Sequence, residues 1–322
     1  MNDRILGIHH VTAIATDPQT NLDFYAGLLG LRLVKKTVNF DDPRTYHLYY
    51  GDETGSPGTI LTFFPWPGAR RGSRGAGQTT ATAFAIPEGT LPWWRRRLEA
   101  AGVILAEPTR RWGQEVQPLL DPDGLLLELV EDPLAAVRRP WSEGPVGEAQ
   151  AIRGFHGVTL LEADATDTLD LVHGTMGFEI LGEDGERTRL RIGREGDPGL
   201  HLDIVDRPGE ALGRVAAGSV HHVAWRVAGD EEELAWRRRL TAAGLGVTPV
   251  QDRQYFHSIY FREPGGVLFE IATDTPGFDL DESVAELGSG LQLPPWYEPR
   301  RGEIEASLPE LGAPVVPAAV EP

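Results

Sequence analysis

One pattern of elements occurs four times along this 322-residue chain, and that repetition limits the fold more than any other feature. Residues 22–30 read LDFYAGLLG and residues 169–177 read LDLVHGTMG, 147 positions further on. Trp94-Arg95-Arg96-Arg97-Leu98 returns as Trp236-Arg237-Arg238-Arg239-Leu240, a spacing of 142 that also carries Pro122 onto Pro264 and Glu128 onto Glu270. The two halves are therefore duplicates, and each divides again. In the last quarter a strand-like run at 220–227 precedes an amphipathic helical stretch at 231–243, closed by Gly244. Three strands are predicted after it, at 247–250, 256–262 and 267–272. The first quarter has the same order, with a strand at 8–15, a helix at 20–28, and strands at 31–38, 45–50 and 59–64. The repeating unit is βαβββ, at roughly 5–66, 78–132, 152–207 and 218–274.

One such unit has a sheet with a helix on one face and nothing on the other, so two units have to share the open face. The predicted fold is α+β: four βαβββ modules in two duplicated halves, paired into curved, barrel-like sheets. The apolar inner faces then wall a cavity suited to a small molecule. Along the chain the division is an N-terminal domain at 1–135, a linker at 136–151, a C-terminal domain at 152–274 and an extension at 275–322. The extension is expected to pack across the body through Leu293-Pro294-Pro295-Trp296-Tyr297 and a short helix at 303–308, then to end in a disordered Pro/Val/Ala segment.

Composition narrows the chemistry. There are no cysteines, so a metal has to be held through nitrogen and oxygen. A net charge of −18 disfavours nucleic acid and anionic lipid as partners, and the arginine triplets at 95–97 and 237–239 read as solvated helix faces. No secretory start and no long apolar window are present, so a cytoplasmic chain without a membrane span is expected, with a homo-oligomer left open.

Paired histidines stand out against that background. His9-His10 and His221-His222 each open a run of strand-forming residues in modules one and four. The constant offsets put Thr80 and Gly157 at the corresponding positions of modules two and three. Because strand neighbours point to opposite faces, one histidine of each pair faces a given interior. Glu270 lies within Val267-Leu268-Phe269-Glu270-Ile271, where a buried carboxylate needs a cation, either a metal or an arginine. Two histidines and a glutamate form the ligand set of non-haem iron(II) oxygenases, which leaves positions open for substrate and dioxygen. Modules two and three offer Glu128, with His156 out of phase, so the chain reads as one working site and one dead counterpart.

The openings HHVT and HHVA, with the run REPGGVLFEIATD at 262–274, resemble the vicinal oxygen chelate (glyoxalase/extradiol dioxygenase) superfamily. More narrowly, YHLYYGD at 46–52, DRQYF at 252–256 and LPPW at 293–296 resemble its ring-cleaving dioxygenases acting on hydroquinones. The resemblance spans nearly the whole chain. It implies Fe(II), with Mn(II) as the alternative, held by His10, His222 and Glu270, the second histidine of each pair being the ligand. It also implies Arg253 and Tyr260 as groups that hold a phenolate, a dihydroxylated aromatic (hydroquinone- or catechol-like) as substrate, and O2 as co-substrate. His9 is then a supporting or acid/base group, and His257 and His47 are further candidates for moving protons. Two other readings stand beside this one. A glyoxalase-type metal-dependent isomerase or lyase needs a fourth protein ligand, and 59–64 contains no glutamate. A non-catalytic protein of the same fold would simply bind an aromatic ligand.

Overall fold

The structure, a computed structural model, describes residues 4–318. Module one comprises β1 (Ile8–Ala15), α1 (Pro18–Leu22, prolonged to Leu28 by a π-helical turn), β2 (Arg32–Asn39), β3 (Asp42–Gly51) and β4 (Ile60–Pro65). Module two comprises β5 (Gln78–Ile86), α2 (Leu91–Ala100), β6 (Thr109–Arg111), β7 (Gln114–Leu120) and β8 (Leu126–Glu131). Module three repeats the order with β9 (Phe155–Glu162), α3 (Thr166–Leu169, prolonged to Thr175), β10 (Glu179–Asp184), β11 (Arg187–Arg191) and β12 (His201–Asp206). Module four has β13 (Val220–Val227), α4 (Asp230–Ala242), β14 (Gln251–Asp252), β15 (Phe256–Arg262) and β16 (Leu268–Pro276).

These sixteen strands form two eight-stranded sheets, ordered β14-β15-β16-β13-β1-β4-β3-β2 and β10-β11-β12-β9-β5-β8-β7-β6. This is the predicted curved, duplicated α+β architecture. Within a module the last strand lies parallel to the first, as β4 beside β1 and β16 beside β13. The other edge of each first strand is unsatisfied inside its own module. It is paired antiparallel by a module of the opposite half, β1 with β13 and β5 with β9. Each sheet thus takes one module from 1–135 and one from 152–274, and the linker at 136–151 marks a repeat in sequence rather than a boundary between sheets.

Two local expectations are corrected. Residues 247–250 form no strand: Pro249 has no N–H for a ladder, and β14 is confined to Gln251–Asp252. Thr248 still ties this segment to β15 through its N–H and hydroxyl, both bonded to Tyr260 backbone groups. Nor is the first arginine triplet wholly solvated. Arg97 is 2% exposed, and its guanidinium donates to the carbonyls of Leu28 and Gly27, which satisfies the C-terminal end of module one's helix from module two. α2 and α4 otherwise face their sheets as the repeat requires, with Trp94 and Leu98, and Trp236 and Leu240, buried one turn apart.

After β16 the chain returns across module one. Lys36 bridges to Leu291, Leu293 and Ile304 bury against Val38, and α5 (Arg301–Ser307) lies beside β3. The terminal Pro/Val/Ala segment, expected to be disordered, is docked as far as Val315. Gly312 N–H and Val315 N–H donate to Gln19 and Asp23, and Val315 lies against Gly27 closely enough that a Cβ there would meet its carbonyl oxygen at 2.1 Å. Residues 319–322 of that segment lie outside the described residues.

One buried carboxyl away from the cavity has a pH consequence. Glu162, at the end of β9, is 1% exposed, and its Oε1 has no hydrogen-bond partner. Burial first, and then the charge of Glu263, raise its pKa to about 8. The unfolded chain releases this proton near pH ~4.3. The group's contribution to stability is therefore fully present below that value and is lost as pH rises through about 8. Glu162→Gln is expected to raise the urea midpoint at alkaline pH and flatten its fall from about pH 5 upward. An unchanged pH slope in the variant would contradict this.

Candidate metal centre

The centre lies where the middle strands of the first sheet cross the pseudo-twofold axis relating modules one and four. The ladder pairs Ile8 with Trp225 but His10 with Ala224, leaving His9 as an extra residue; opposite it, Thr12 pairs with His222 and Ala13 with Val220, leaving His221 extra. Each histidine pair therefore sits on a β-bulge. Strict alternation fails there, and the two rings of a pair meet edge-on instead of pointing to opposite faces. His9 Nδ1 is 2.9 Å from His10 Nδ1, and His221 Nδ1 is 2.7 Å from His222 Nδ1.

The remaining nitrogens of His10 and His222 converge on Glu270. Nε2 to Nε2 is 3.2 Å, and Glu270 Oε2 lies 3.3 Å from His10 Nε2 and 2.9 Å from His222 Nε2. Three mutually adjacent ligands with bonds of about 2.1 Å to one ion are separated by about 3 Å, so the triangle has the edge lengths of a facial triad. The carboxylate supplies the stronger test of fit. Glu270 is 0% exposed, and its oxygens have no hydrogen-bond donor beyond the two imidazoles that stand against Oε2. A buried anion so placed is complete only with a cation at the focus of the three groups. Burial alone would raise the Glu270 pKa, but the two imidazoles outweigh it and hold the carboxyl well below the usual range. Burial also lowers the pKa of His222, keeping it in the neutral form a metal takes. Among the described residues this is the one cluster of three histidine, cysteine or acidic side chains able to share an ion.

The Nδ1 contacts set the tautomers. A lone pair on Nε2 of His10 or His222 leaves the ring proton on Nδ1, which then donates to His9 or His221. The partners differ in where they lie. His9 is 2% exposed behind His10, its ring against Phe256 at 5.1 Å, whereas His221 lines the cavity. The repeat offers both His9 and His221 as outward-facing or supporting groups, with His9 preferred for acid/base work; both support a ligand through Nδ1, and of the two it is His221 that lines the cavity. The signal was present in the repeated pair, but the bulges that turn both rings inward are not encoded in either strand alone.

The triad opens on a cavity of about 430 Å³. Arg253, Tyr260, Thr248 and Gln251 line it from module four, and Phe40, His47, Phe64 and Trp66 from module one. Arg253 Nε donates to the Tyr260 hydroxyl at 3.2 Å and its guanidinium lies 5.3 Å from that ring. Tyr260 has its pKa raised by burial and by the Glu270 charge, so it remains a hydroxyl donor. His47 also reaches the cavity, with both nitrogens engaged: Nδ1 accepts from Tyr49 at 2.8 Å, and Nε2 lies 2.8 Å from Thr62 Oγ1. Thr62 pairs with Thr12 as Glu270 pairs with Ala224, so the threonine occupies the carboxylate position of module one.

His257, a candidate for proton transfer, is not brought to the cavity. Ser258 and Tyr260 take the inner face of β15, so His257 points outward to α4, where its Nδ1 contacts Asp230 at 2.7 Å and that carboxylate raises its pKa. This removes it from the catalytic set.

The second sheet contains the counterpart site. Register places Ala81, not Thr80, at the position equivalent to His222, because Thr80 is the bulged residue and so matches His221; Gly157 takes the place of His10. Both carboxylate positions are filled there, by Glu128 and Asp203, and arginines satisfy both. Arg111 reaches Glu128 at 2.5 Å, and Arg189 and Arg187 grip Asp203 at 2.7 and 2.9 Å. Only about 10 Å³ of free space remains between them.

Comparison with known proteins agrees with the fold. The profile of the Glyoxalase/Bleomycin resistance protein/Dioxygenase superfamily matches residues 7–129 and 154–271. MhqO of Bacillus subtilis, assigned as a ring-cleaving dioxygenase, is 49% identical over 308 residues, covering 96% of this chain and 97% of that protein. Chlorohydroquinone/hydroquinone 1,2-dioxygenase of Sphingobium indicum is 38% identical over 312 residues, covering 94% and 95%. The crystal structure of a Bacillus subtilis protein assigned as a dioxygenase superposes with a TM-score of 0.93 at 48% identity, covering 97% of this chain and 99% of that one. No described helix is long and apolar enough to cross a membrane. The chain belongs to the Glyoxalase/Bleomycin resistance protein/Dioxygenase superfamily, and within it to the ring-cleaving dioxygenases.

Proposed function

We propose that this enzyme opens a hydroquinone-like diol with O2 at an Fe(II) centre held by His10, His222 and Glu270. The observation that supports this best is the buried, unpartnered Glu270 carboxylate beside two neutral-type imidazole ligands, facing a cavity with a guanidinium and a phenol at its edge. Iron bound there supplies dioxygen activation and lowers the pKa of a coordinated substrate hydroxyl.

The chain's own groups do the rest. Arg253 offers a fixed positive charge to a phenolate, and Tyr260, whose oxygen accepts from Arg253 and lies 3.3 Å from Ser258 Oγ, can turn its proton to the phenolate oxygen. His221 accepts from His222 through Nδ1 and so holds its own proton at Nε2. Phe64 and Trp66 cover a bound ring and keep water from it.

Thr62 weighs against the isomerase reading, since a fourth protein ligand would have to come from its position. Thr62→Glu is expected to hold divalent metal at least about 10-fold more tightly and to lose oxygen uptake by about 100-fold, because a fourth ligand closes the open side. Titrations of the variant with Mn(II) and oxygen-electrode traces check the two halves separately. The function as a whole is tested by anaerobic Fe(II) loading followed by oxygen consumption with hydroquinone, chlorinated hydroquinones and catechol; isomerisation of a substrate without oxygen use would overturn it.

A further inference from the structure

The C-terminal extension reaches the mouth of the cavity, and it does so at one residue. Phe40, on the tight turn between β2 and β3, lines the cavity, and its carbonyl accepts the Tyr297 hydroxyl at 2.8 Å. Its ring packs edge-on against Trp296 with centroids 5.6 Å apart, and Phe40 and Tyr297 both pack against the small core of Val38, Leu293 and Ile304 that the extension forms with β2. From the opposite side, Arg253 Nη1 reaches Asp41 at 3.3 Å. The turn is therefore clamped between the extension and module four, with Phe40 as a ceiling over the ring site.

The space beneath that ceiling exceeds what one bare ring requires. A cavity of about 150 Å³ accepts benzene, whereas this one measures about 430 Å³. Arg253, Tyr260 and His222 line it together with Phe40, Phe64 and Trp66. A ring whose hydroxyl is held by Arg253 and Tyr260 has its substituents bounded by these aromatic side chains, Phe40 among them.

We infer that Phe40, held in place by Trp296 and Tyr297, sets the largest apolar ring substituent the enzyme accepts, so that the extension is a selectivity element. The inference rests on the dioxygenase reading above and names the residue that bounds its substrate class: diols bearing an alkyl or halogen group of limited bulk. Phe40 acts by contact, whereas Trp296 and Tyr297 are positioning residues outside the cavity.

The test compares kcat/KM for hydroquinone and tert-butylhydroquinone in the Fe(II)-loaded full chain, by oxygen uptake. Phe40→Ala is expected to move the ratio toward the bulky diol by about 10-fold or more. Trp296→Ala and Tyr297→Phe should move it a few-fold in the same direction, through KM rather than kcat. Ratios within two-fold of wild type in all three variants would overturn the inference, as would a loss shared equally by both substrates through kcat. Binding of phenol and 4-tert-butylphenol, followed by quenching of Trp66 fluorescence against a Trp66→Phe control, reads the ceiling without turnover. Wild-type protein that consumes no oxygen with any diol would overturn the dioxygenase reading alone. In that case a Phe40→Ala shift in the phenol ratio still supports the ceiling, and its absence rejects it.

Discussion

Glu270→Gln is expected to lose its metal and its oxygen uptake together, and with them the melting shift that metal gives the wild type. The first half follows from ligand count. Disturbing groups that merely orient a metal ligand costs 10–100-fold in affinity, so removing the only anionic ligand should weaken binding by more than about 100-fold. The second half follows by linkage, since a site that no longer binds the ion gains no stability from it. At metal concentrations about 1,000 times the dissociation constant, the wild type gains roughly 4 kcal/mol, and the variant should gain almost none. Thermal melts of chelator-treated protein with and without Mn(II) or anaerobic Fe(II) measure both. A variant that keeps one equivalent of metal and the wild-type melting shift would refute the assignment of the centre.

Lys35→Met is expected to cause the largest loss of stability of any single substitution considered. Lys35 is 0% exposed on β2, and its ammonium lies 2.6 Å from Asp281 and 2.5 Å from Glu282, above the ring of Tyr255 at 4.9 Å. Tyr255 in turn donates to Asp281 at 2.9 Å. Truncating the lysine leaves Glu282, whose side chain is 5% exposed, without its cation beside an Asp281 that water partly reaches, a fault of about 3 kcal/mol. That corresponds to a melting drop on the order of 10 °C. The latch also fastens the beginning of the extension to module one, so limited proteolysis should cut the variant after β16. Adding Asp281→Asn and Glu282→Gln to Lys35→Met should recover most of the loss, because the replaced groups are then all neutral. A single variant melting within 2 °C of wild type would show that the pair is solvated after all.

Much of this protein is legible before it folds. Duplication is visible as repeated motifs, and because each copy carries the same order of periodicities, the βαβββ unit could be read from any one and checked against the other three. Repetition also shows that modules one and four keep paired histidines while module four alone combines them with a glutamate. Composition supports the same chemistry, since a chain without cysteine has only imidazole and carboxylate to offer a metal.

Other features belong to contacts between distant segments. Strict strand alternation would turn His9 and His221 away from their neighbours, and the resemblance offers His257 as a proton carrier. The two bulges and the register of β15 against β16 decide otherwise. The salt bridges that fill the second cleft join strands of modules two and three, and no local pattern distinguishes them from surface charge. The same holds for Lys35, which looks like an ordinary strand lysine until residues 246 positions later close over it.

The division has a physical cause. Side-chain alternation, helix amphipathicity and turn chemistry depend on neighbours within a few residues, so the linear chain determined the modules, their number and the kinds of ligand available. Which first strands pair, and where an extra residue must bulge to keep both ladders bonded, depends on edges far apart in sequence, 71 residues from Phe84 to Phe155 and 217 from Ile8 to Trp225. Only the tertiary structure decided that β1 lies beside β13 with His9 and His221 left over, and with it the convergence of His10, His222 and Glu270 on one point.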